Sequence, residues 1–134
     1  MNSSNDSHRK KVLITEDDPG ILDVLTIIFQ RAGYDVTPFS DGNMLLKGTF
    51  EVPGIFLLDK QLSGVDGLDL CRHLKKAEPT KDIPVIILSA TPYIKQLSAQ
   101  AGADAFIEKP FSNKEIVQLV ENLVNHSSTQ KGDS

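Results

Sequence analysis

Residues 12–17 read VLITED and residues 55–59 read IFLLD, so each of these apolar runs ends in acidic side chains. Two later apolar runs end in a similar way, one in Ser89 and one just before Lys109. In a parallel sheet with right-handed crossovers, the carboxyl ends of all strands lie at one edge. We therefore expect five polar side chains to meet at that edge, namely Glu16, Asp17, Asp59, Ser89 and Lys109.

Apolar runs alternate with amphipathic segments about five times along the chain. The runs at 11–15, 54–58 and 84–88 are almost purely apolar, which is typical of parallel strands covered by helices on both faces. Shorter strands are predicted at 34–39 and 104–108. This alternation predicts a doubly wound α/β domain with a five-stranded parallel sheet. Ligands bind such sheets at the carboxyl ends of the strands, where the strand order reverses.

Five helices are predicted between and after these strands. Asp18 is expected to cap the first helix, with Pro19 at its first position, and Ser112 forms a capping box with Glu115 at the start of the last. The first predicted helix runs from Pro19 to just before Gly33, and the last begins after Ser112 and runs to the end of the domain. The three helices between them are predicted at 41–49, 67–77 and 93–101.

Length and composition indicate one ordinary globular domain, since the chain has 134 residues, 40% of them hydrophobic, and a net charge of −4. We expect a domain at 11–126 between disordered polar tails at 1–10 and 127–134. The single Cys71 fits a reducing compartment. Neither a secretory signal nor a membrane span is recognisable in the sequence. We therefore expect a cytoplasmic protein without a membrane partner. The absence of a basic stripe argues against direct nucleic-acid binding.

The acidic side chains at the predicted edge indicate a divalent-cation site. Glu16, Asp17 and Asp59 would repel one another strongly without a cation, and Mg²⁺ prefers such oxygen ligands. Favourable interaction with a helix dipole is the simpler explanation for acidic residues before a helix, but it does not account for Asp59. A carboxylate there can attack phosphorus, Ser89 can donate to a phosphate oxygen, and Lys109 needs an anionic partner. Whether the Lys109–Pro110 bond is cis stays open.

Four motifs in this order resemble the receiver domain of two-component response regulators. The resemblance covers residues 11–125, and the motifs are VLITEDDP from Val12, IFLLDKQLSGVDGLDLCRHLK from Ile55, PVIILSA from Pro84 and AGADAFIEKPF from Ala101. It implies a flavodoxin-like or CheY-like sheet with strand order 2-1-3-4-5, helices one and five on one face and the other three on the opposite face. It also implies a phosphorylated signalling module that switches protein–protein contacts and is not an enzyme acting on other molecules.

The resemblance assigns roles to individual residues. Asp59 resembles the phosphoacceptor, and Mg²⁺ would be held by Glu16, Asp17, Asp59 and the backbone carbonyl of Gln61. Ser89 and Lys109 resemble the switch hydroxyl and the phosphate-binding lysine, and Phe106 occupies the switch aromatic position. The implied partners are a histidine kinase or histidine phosphotransfer protein as donor, and a downstream protein of unknown identity.

This chain departs from the family pattern in two places. Ser63 stands where proline is common, which predicts a looser loop after Asp59. The segment between Ser89 and Lys109 is about two residues short and contains Pro92, which predicts a short or displaced fourth helix near the usual output surface.

Two other readings compete with a stand-alone receiver. One is a Mg²⁺-dependent phosphohydrolase with an aspartate nucleophile, although such enzymes commonly need a second aspartate where this chain has Gln61. The other is a receiver domain cut from a hybrid kinase or a DNA-binding regulator.

Overall fold

The computed structural model describes the backbone of residues 10–133 and the side chains of residues 10–125. Residues 1–9 and 134, which belong to the predicted tails, lie outside the described residues. Within the described part, no helix combines the length and apolar character needed to cross a membrane. Residues 10–133 form seven strands and five helices in this order: β1 Lys11–Thr15, α1 Pro19–Arg31, β2 Asp35–Phe39, α2 Asn43–Lys47, β3 Ile55–Asp59, β4 Gln61–Leu62, β5 Val65–Asp66, α3 Gly67–Lys76, β6 Val85–Ser89, α4 Ile94–Gln100, β7 Ala105–Glu108 and α5 Asn113–Asp133.

Five of the strands form one parallel sheet in the order β2-β1-β3-β6-β7. Because β4 and β5 form a separate hairpin, this order corresponds to the predicted 2-1-3-4-5 arrangement. Every residue of β3 and β6 is buried, as expected of central strands with helices on both faces. The doubly wound α/β fold predicted from the sequence is thereby confirmed.

Two apolar cores lie on opposite faces of the sheet because neighbouring side chains of a strand point to opposite sides. On β1, Val12 and Ile14 belong to one core and Leu13 to the other. The first core contains Phe29 of α1 and Val120 of α5, and the second contains side chains of α2, α3 and α4. Full burial of each large side chain contributes roughly 1.5–3 kcal/mol. The helices therefore divide between the faces as the family resemblance implied.

Local signals at the helix ends agree with the sequence analysis. The backbone amides of Gly20 and Ile21 donate to Asp18 Oδ1 at 2.9 and 3.1 Å, so Asp18 caps α1 with Pro19 at its first position. At the start of α5, the amide of Glu115 donates to Ser112 Oγ at 3.1 Å. These bonds satisfy donors that the first turn of a helix leaves unpaired.

Several elements differ in extent from the expectations. Helix α2 covers only 43–47, because Gly48 ends it in a left-handed conformation with φ of 74°. Helix α4 is also short, as the reduced spacing predicted, and begins after Tyr93 with φ of 64°. The segment 61–66 forms an antiparallel hairpin where a flexible loop was expected. Helix α5 continues to Asp133, into the segment predicted to be a polar tail.

Candidate metal and phosphoryl site

The register of the sheet brings the predicted polar residues to one edge. Asp59, the last residue of β3, lies beside Leu88 of β6, and Ser89 lies beside Glu108 of β7. The ladder continues past the strand ends, because the amide of Lys60 donates to the Leu88 carbonyl at 2.9 Å and that of Lys109 to the Ser89 carbonyl at 3.0 Å. The polar side chains at the carboxyl ends of β3, β6 and β7 are thus held next to one another by backbone hydrogen bonds.

Lys109 joins two buried carboxylates. Its Nζ lies 3.0 Å from Glu16 Oε1 and 2.9 Å from Asp59 Oδ2. The Glu16 and Asp59 side chains are 1% and 6% exposed, whereas that of Lys109 is 21% exposed. Breaking a buried ion pair by removing one partner is strongly destabilising. The sequence-based expectation that Lys109 needs an anionic partner is therefore met by two of them.

The electrostatics of the cluster leave negative charge that one lysine does not balance. Burial raises the pKa of Glu16 to about 7, helped by the neighbouring Asp59 and opposed by Lys109. Burial alone would lower the pKa of Lys109, but hydrogen bonds and charge from both carboxylates hold it above its ordinary value. A carboxyl that is hard to ionise beside a second carboxylate indicates a site that additional positive charge would stabilise.

Asp17 completes a group of three carboxylates suited to a hard cation. One oxygen each of Glu16, Asp17 and Asp59 lies within 4.8 Å of the others, and Asp17 is exposed while the other two are buried. Oxygen donors are the ligands that Mg²⁺ prefers, and Mg²⁺ usually retains several waters, so few protein ligands are needed. The donor set and its uncompensated charge fit a divalent cation, and this cluster can bind a metal.

Asp59 is fixed by the hairpin that follows it. The backbone amide of Gln61 donates to Asp59 Oδ1 at 3.1 Å, so Asp59 has the lysine on one oxygen and an amide on the other. Gly67, at the start of α3, packs against the backbone of Asp59. A Cβ on residue 67 would lie 2.1 Å from the Asp59 carbonyl oxygen. That the Gln61 carbonyl binds metal stays a prediction.

Ser89 and Phe106 lie where the sequence analysis expected a switch. Ser89 is 3% exposed, and its Oγ accepts a hydrogen bond of 2.8 Å from the Thr91 amide. Phe106 lies beside Ile87 in the sheet and packs, half-buried, against the core that includes α4. A hydroxyl at the site and an aromatic ring on the neighbouring strand are thus both connected to the segment leading into α4.

The site opens into a cavity of about 250 Å³ whose lining includes all five predicted edge residues together with Gln61 and Ala90. Beside it runs a larger, mainly apolar groove of about 560 Å³ between α1 and the start of α5. The two spaces adjoin, because both are lined by Asp18, Ile21, Ala90 and Lys109. Helix α1 also exposes Val24 and Ile27 to about half.

Three residues of the site have roles that sequence reasoning did not find. The Asp18 amide donates to Glu16 Oε2 at 3.2 Å, Gly67 permits the close approach to Asp59, and Ser63 Oγ lies 3.5 Å from Asp17 Oδ2. Glycine is a poor helix former, so its presence at the first position of α3 was a signal for close packing. The other two contacts had no signal in the sequence.

Comparison with known proteins agrees with this geometry. The family model described as the response regulator receiver domain matches residues 12–121. The DNA-binding response regulator MtrA of Mycolicibacterium smegmatis is 34% identical over 131 residues, which cover 96% of this chain and 56% of MtrA. The chain thus spans about half the length of this curated relative.

Solved receiver domains share the fold. A CheY-like receiver domain protein from Methanospirillum hungatei matches with a TM-score of 0.82 and 27% identity, covering 90% of this chain and 98% of that one. A second match is the receiver domain of a sensor histidine kinase from Pseudomonas aeruginosa, with a TM-score of 0.79 and 24% identity over 87% of this chain and 98% of that one. That structure is described with magnesium coordinated in its active-site cleft. On the strength of the family match across residues 12–121, the chain belongs to the response regulator receiver domains of two-component signalling.

Proposed function

We propose that this receiver domain accepts one phosphoryl group on Asp59, with Mg²⁺ held by Glu16, Asp17, Asp59 and the Gln61 carbonyl. The observation that carries the proposal is the environment of Asp59, which is almost fully buried, bound to Lys109 at 2.9 Å and grouped with two more carboxylates. A carboxylate in such a place is costly to keep. A phosphoacceptor role gives this arrangement a chemical use.

The reaction requires a donor with a labile phosphoryl group, and a phosphorylated histidine supplies one. An Asp59 oxygen attacks phosphorus, a P–O bond forms as the P–N bond to the donor imidazole breaks, and the imidazole takes up a proton. A bound divalent cation supplies positive charge that neutralises the transferring group. Attack of water on the phosphoryl phosphorus later regenerates the Asp59 carboxylate and releases inorganic phosphate.

Residues of this chain account for the rest of the chemistry. Lys109, already 2.9 Å from Asp59 Oδ2, is close enough to bind an oxygen of the phosphoryl group. Ser89 has a buried hydroxyl in the same cavity that can donate to another oxygen. Preorganised charges and donors of this kind stabilise the charge that develops during phosphoryl transfer.

Phosphorylation would change which proteins the domain binds. Ser89 Oγ accepts from the Thr91 amide, so a shift of Ser89 as it donates to a phosphoryl oxygen would be passed to the start of the segment that leads to α4. Phe106, beside Ile87, packs partly buried against the core that includes α4, so it lies where such a shift would be felt. Phosphorylation then biases two conformations of one surface, which a downstream protein distinguishes.

The donor is proposed to be a histidine kinase or histidine phosphotransfer protein. A protein donor must cover the mouth of the site, and the apolar groove beside that mouth offers a surface for it through Ile21 and Val24. Neither direct nucleic-acid binding nor membrane attachment forms part of the proposal, and the cytoplasmic location stays a prediction.

Labelling with acetyl phosphate tests the acceptor. Wild-type protein should gain one phosphoryl group in the presence of Mg²⁺, and Asp59→Asn should gain none. Asp69→Asn is the matched control, because Asp69 is a nearby exposed carboxylate on α3 that pairs with Arg72, and it should leave labelling intact. Persistent labelling of Asp59→Asn would refute the assignment.

The same proteins separate a receiver from a phosphohydrolase. A receiver labels stoichiometrically and releases phosphate slowly, with chemistry limited to its own phosphorylation and dephosphorylation. Rapid multiple turnover of generic phosphate esters would favour the enzyme. The exposed Gln61, at the position where such enzymes commonly need a second aspartate, cannot act as an acid or base.

A further inference from the structure

The hairpin formed by β4 and β5 contacts two of the three clustered carboxylates. At one end of the hairpin, the amide of Gln61 donates to Asp59 Oδ1 at 3.1 Å. At its turn, Ser63 Oγ lies 3.5 Å from Asp17 Oδ2, across 46 positions of sequence. One small element therefore reaches side chains that follow two different strands of the sheet.

The hairpin is itself held in place. Ser63 and Gly64 form its two-residue turn, and Gly64 has a φ of 82°, a conformation that glycine adopts readily. Lys60 Nζ and Asp66 Oδ2 pair at 3.3 Å across its base. On one side it packs against Gly42, where a Cβ would lie 2.7 Å from Val65 Cγ1 and 3.7 Å from Leu62 Cδ1. These contacts hold the hairpin backbone in place and keep the turn residue Ser63 beside Asp17.

Asp17 depends on this contact more than its neighbours do. Glu16 and Asp59 are buried and bound by Lys109, whereas Asp17 is exposed. Among the side chains of residues 10–125, Ser63 is the one whose hydrogen bond reaches the Asp17 carboxylate. An exposed carboxylate without such a contact samples several rotamers, and ordering it on metal binding costs conformational entropy.

We propose that Ser63 is a positioning residue that orients Asp17 for the divalent cation. The inference rests on the proposed function, since it takes Asp17 as a metal ligand. The Ser63 hydroxyl donates to one Asp17 oxygen and leaves the other for the cation. A proline, which is common at this position in the family, has no side-chain donor. The hairpin of this chain therefore acts on two metal-site carboxylates, Asp59 through Gln61 and Asp17 through Ser63.

Magnesium affinity, measured by calorimetry with the metal alone, tests the proposal without any phosphoryl donor. Removing a residue that hydrogen-bonds to a metal ligand typically weakens metal binding about 10- to 100-fold. Because Ser63 is exposed, we expect a smaller loss of Mg²⁺ affinity for Ser63→Ala, about 3- to 10-fold. Ser63→Thr keeps the hydroxyl and should bind within about twofold of wild type. Ser112→Ala is the control, because it also removes an exposed hydroxyl that hydrogen-bonds, but at the cap of α5.

A double-mutant comparison shows whether Ser63 acts through Asp17. Ser63→Ala should weaken Mg²⁺ binding in the wild-type background and have no further effect in Asp17→Ala, which removes both the acceptor of the Ser63 hydroxyl and the metal ligand. An unchanged affinity of Ser63→Ala, or an equal loss in both backgrounds, would overturn the inference while leaving the metal site as proposed. If Asp17→Ala alone bound Mg²⁺ like wild type, the proposed ligand set would fail and the inference with it.

Discussion

Substitution of Gly67 by alanine tests how tightly the start of α3 holds the acceptor strand. The new Cβ would lie 2.1 Å from the Asp59 carbonyl oxygen and 2.8 Å from Lys60 Cα. Both contacts are with backbone, so no side-chain rotation relieves them, and the oxygen must move by more than about 1 Å to reach an ordinary contact distance. Overpacking of this kind costs roughly 1–3 kcal/mol or more. A shift of about 1 Å at reacting groups can lower a rate about 100-fold.

Two measurements on the same variant separate these effects. Urea unfolding should show Gly67→Ala less stable by about 3 kcal/mol, at the upper end of the overpacking range because backbone must yield. Its rate of labelling by acetyl phosphate, expressed per folded molecule, should fall by about 100-fold. Gly48→Ala is the matched control: its φ is 74° but its Cβ would meet nothing within 4 Å, so it should lose about 1 kcal/mol and label normally. A Gly67→Ala protein as stable and as readily labelled as wild type would refute the reasoning.

Three further predictions concern charge and burial. Lys109→Met leaves two buried carboxylates without their lysine partner. In the absence of Mg²⁺, urea unfolding should show a free energy of unfolding lower by about 3 kcal/mol, and adding Mg²⁺ should restore part of it. A loss below about 1 kcal/mol would contradict this. Asp104 accepts hydrogen bonds from the Val85 amide and from Lys75 Nζ, both at 2.8 Å, so Asp104→Ala should lower the free energy of unfolding in urea by about 2 kcal/mol. Asp69→Ala removes an exposed ion pair and should lower it by less than about 0.5 kcal/mol. Equal losses for the two variants would contradict this prediction. Cys71 is fully buried, and burial raises the pKa of its thiol to about 11, so iodoacetamide should alkylate the folded protein at pH 8 at least about 100-fold more slowly than the urea-unfolded chain. Similar rates for the folded and unfolded protein would contradict this.

The framework of this fold was predictable because its signals are local or dictated by burial. Runs such as Ile55–Leu58 have no polar side, so they require cover on both faces, and parallel strands then bring their carboxyl ends together. The cap at Asp18 was predictable because the first turn of a helix has unpaired backbone amides. The pairing of Lys109 with carboxylates was predictable because a buried charge requires a partner of opposite charge. The edge cluster could therefore be assembled from sequence alone.

The hairpin at 61–66 was not predictable in the same way. Two residues per strand are too few to show a periodic pattern, and the element depends on packing of Leu62 and Val65 against Gly42. The contact between Ser63 and Asp17 joins segments 46 positions apart and leaves no local trace. Helix α2 is shorter than predicted because glycines lie at both of its ends, Gly42 and Gly48.

The most direct test of the account is the location of the phosphoryl group after reaction with acetyl phosphate and Mg²⁺. Borohydride reduces an acyl phosphate on aspartate to homoserine, which peptide mass spectrometry then assigns to a position. The account predicts homoserine at position 59 alone, in a yield that falls when Mg²⁺ is removed by chelation. Homoserine at another aspartate, or an unmodified Asp59 under conditions that label the protein, would contradict it.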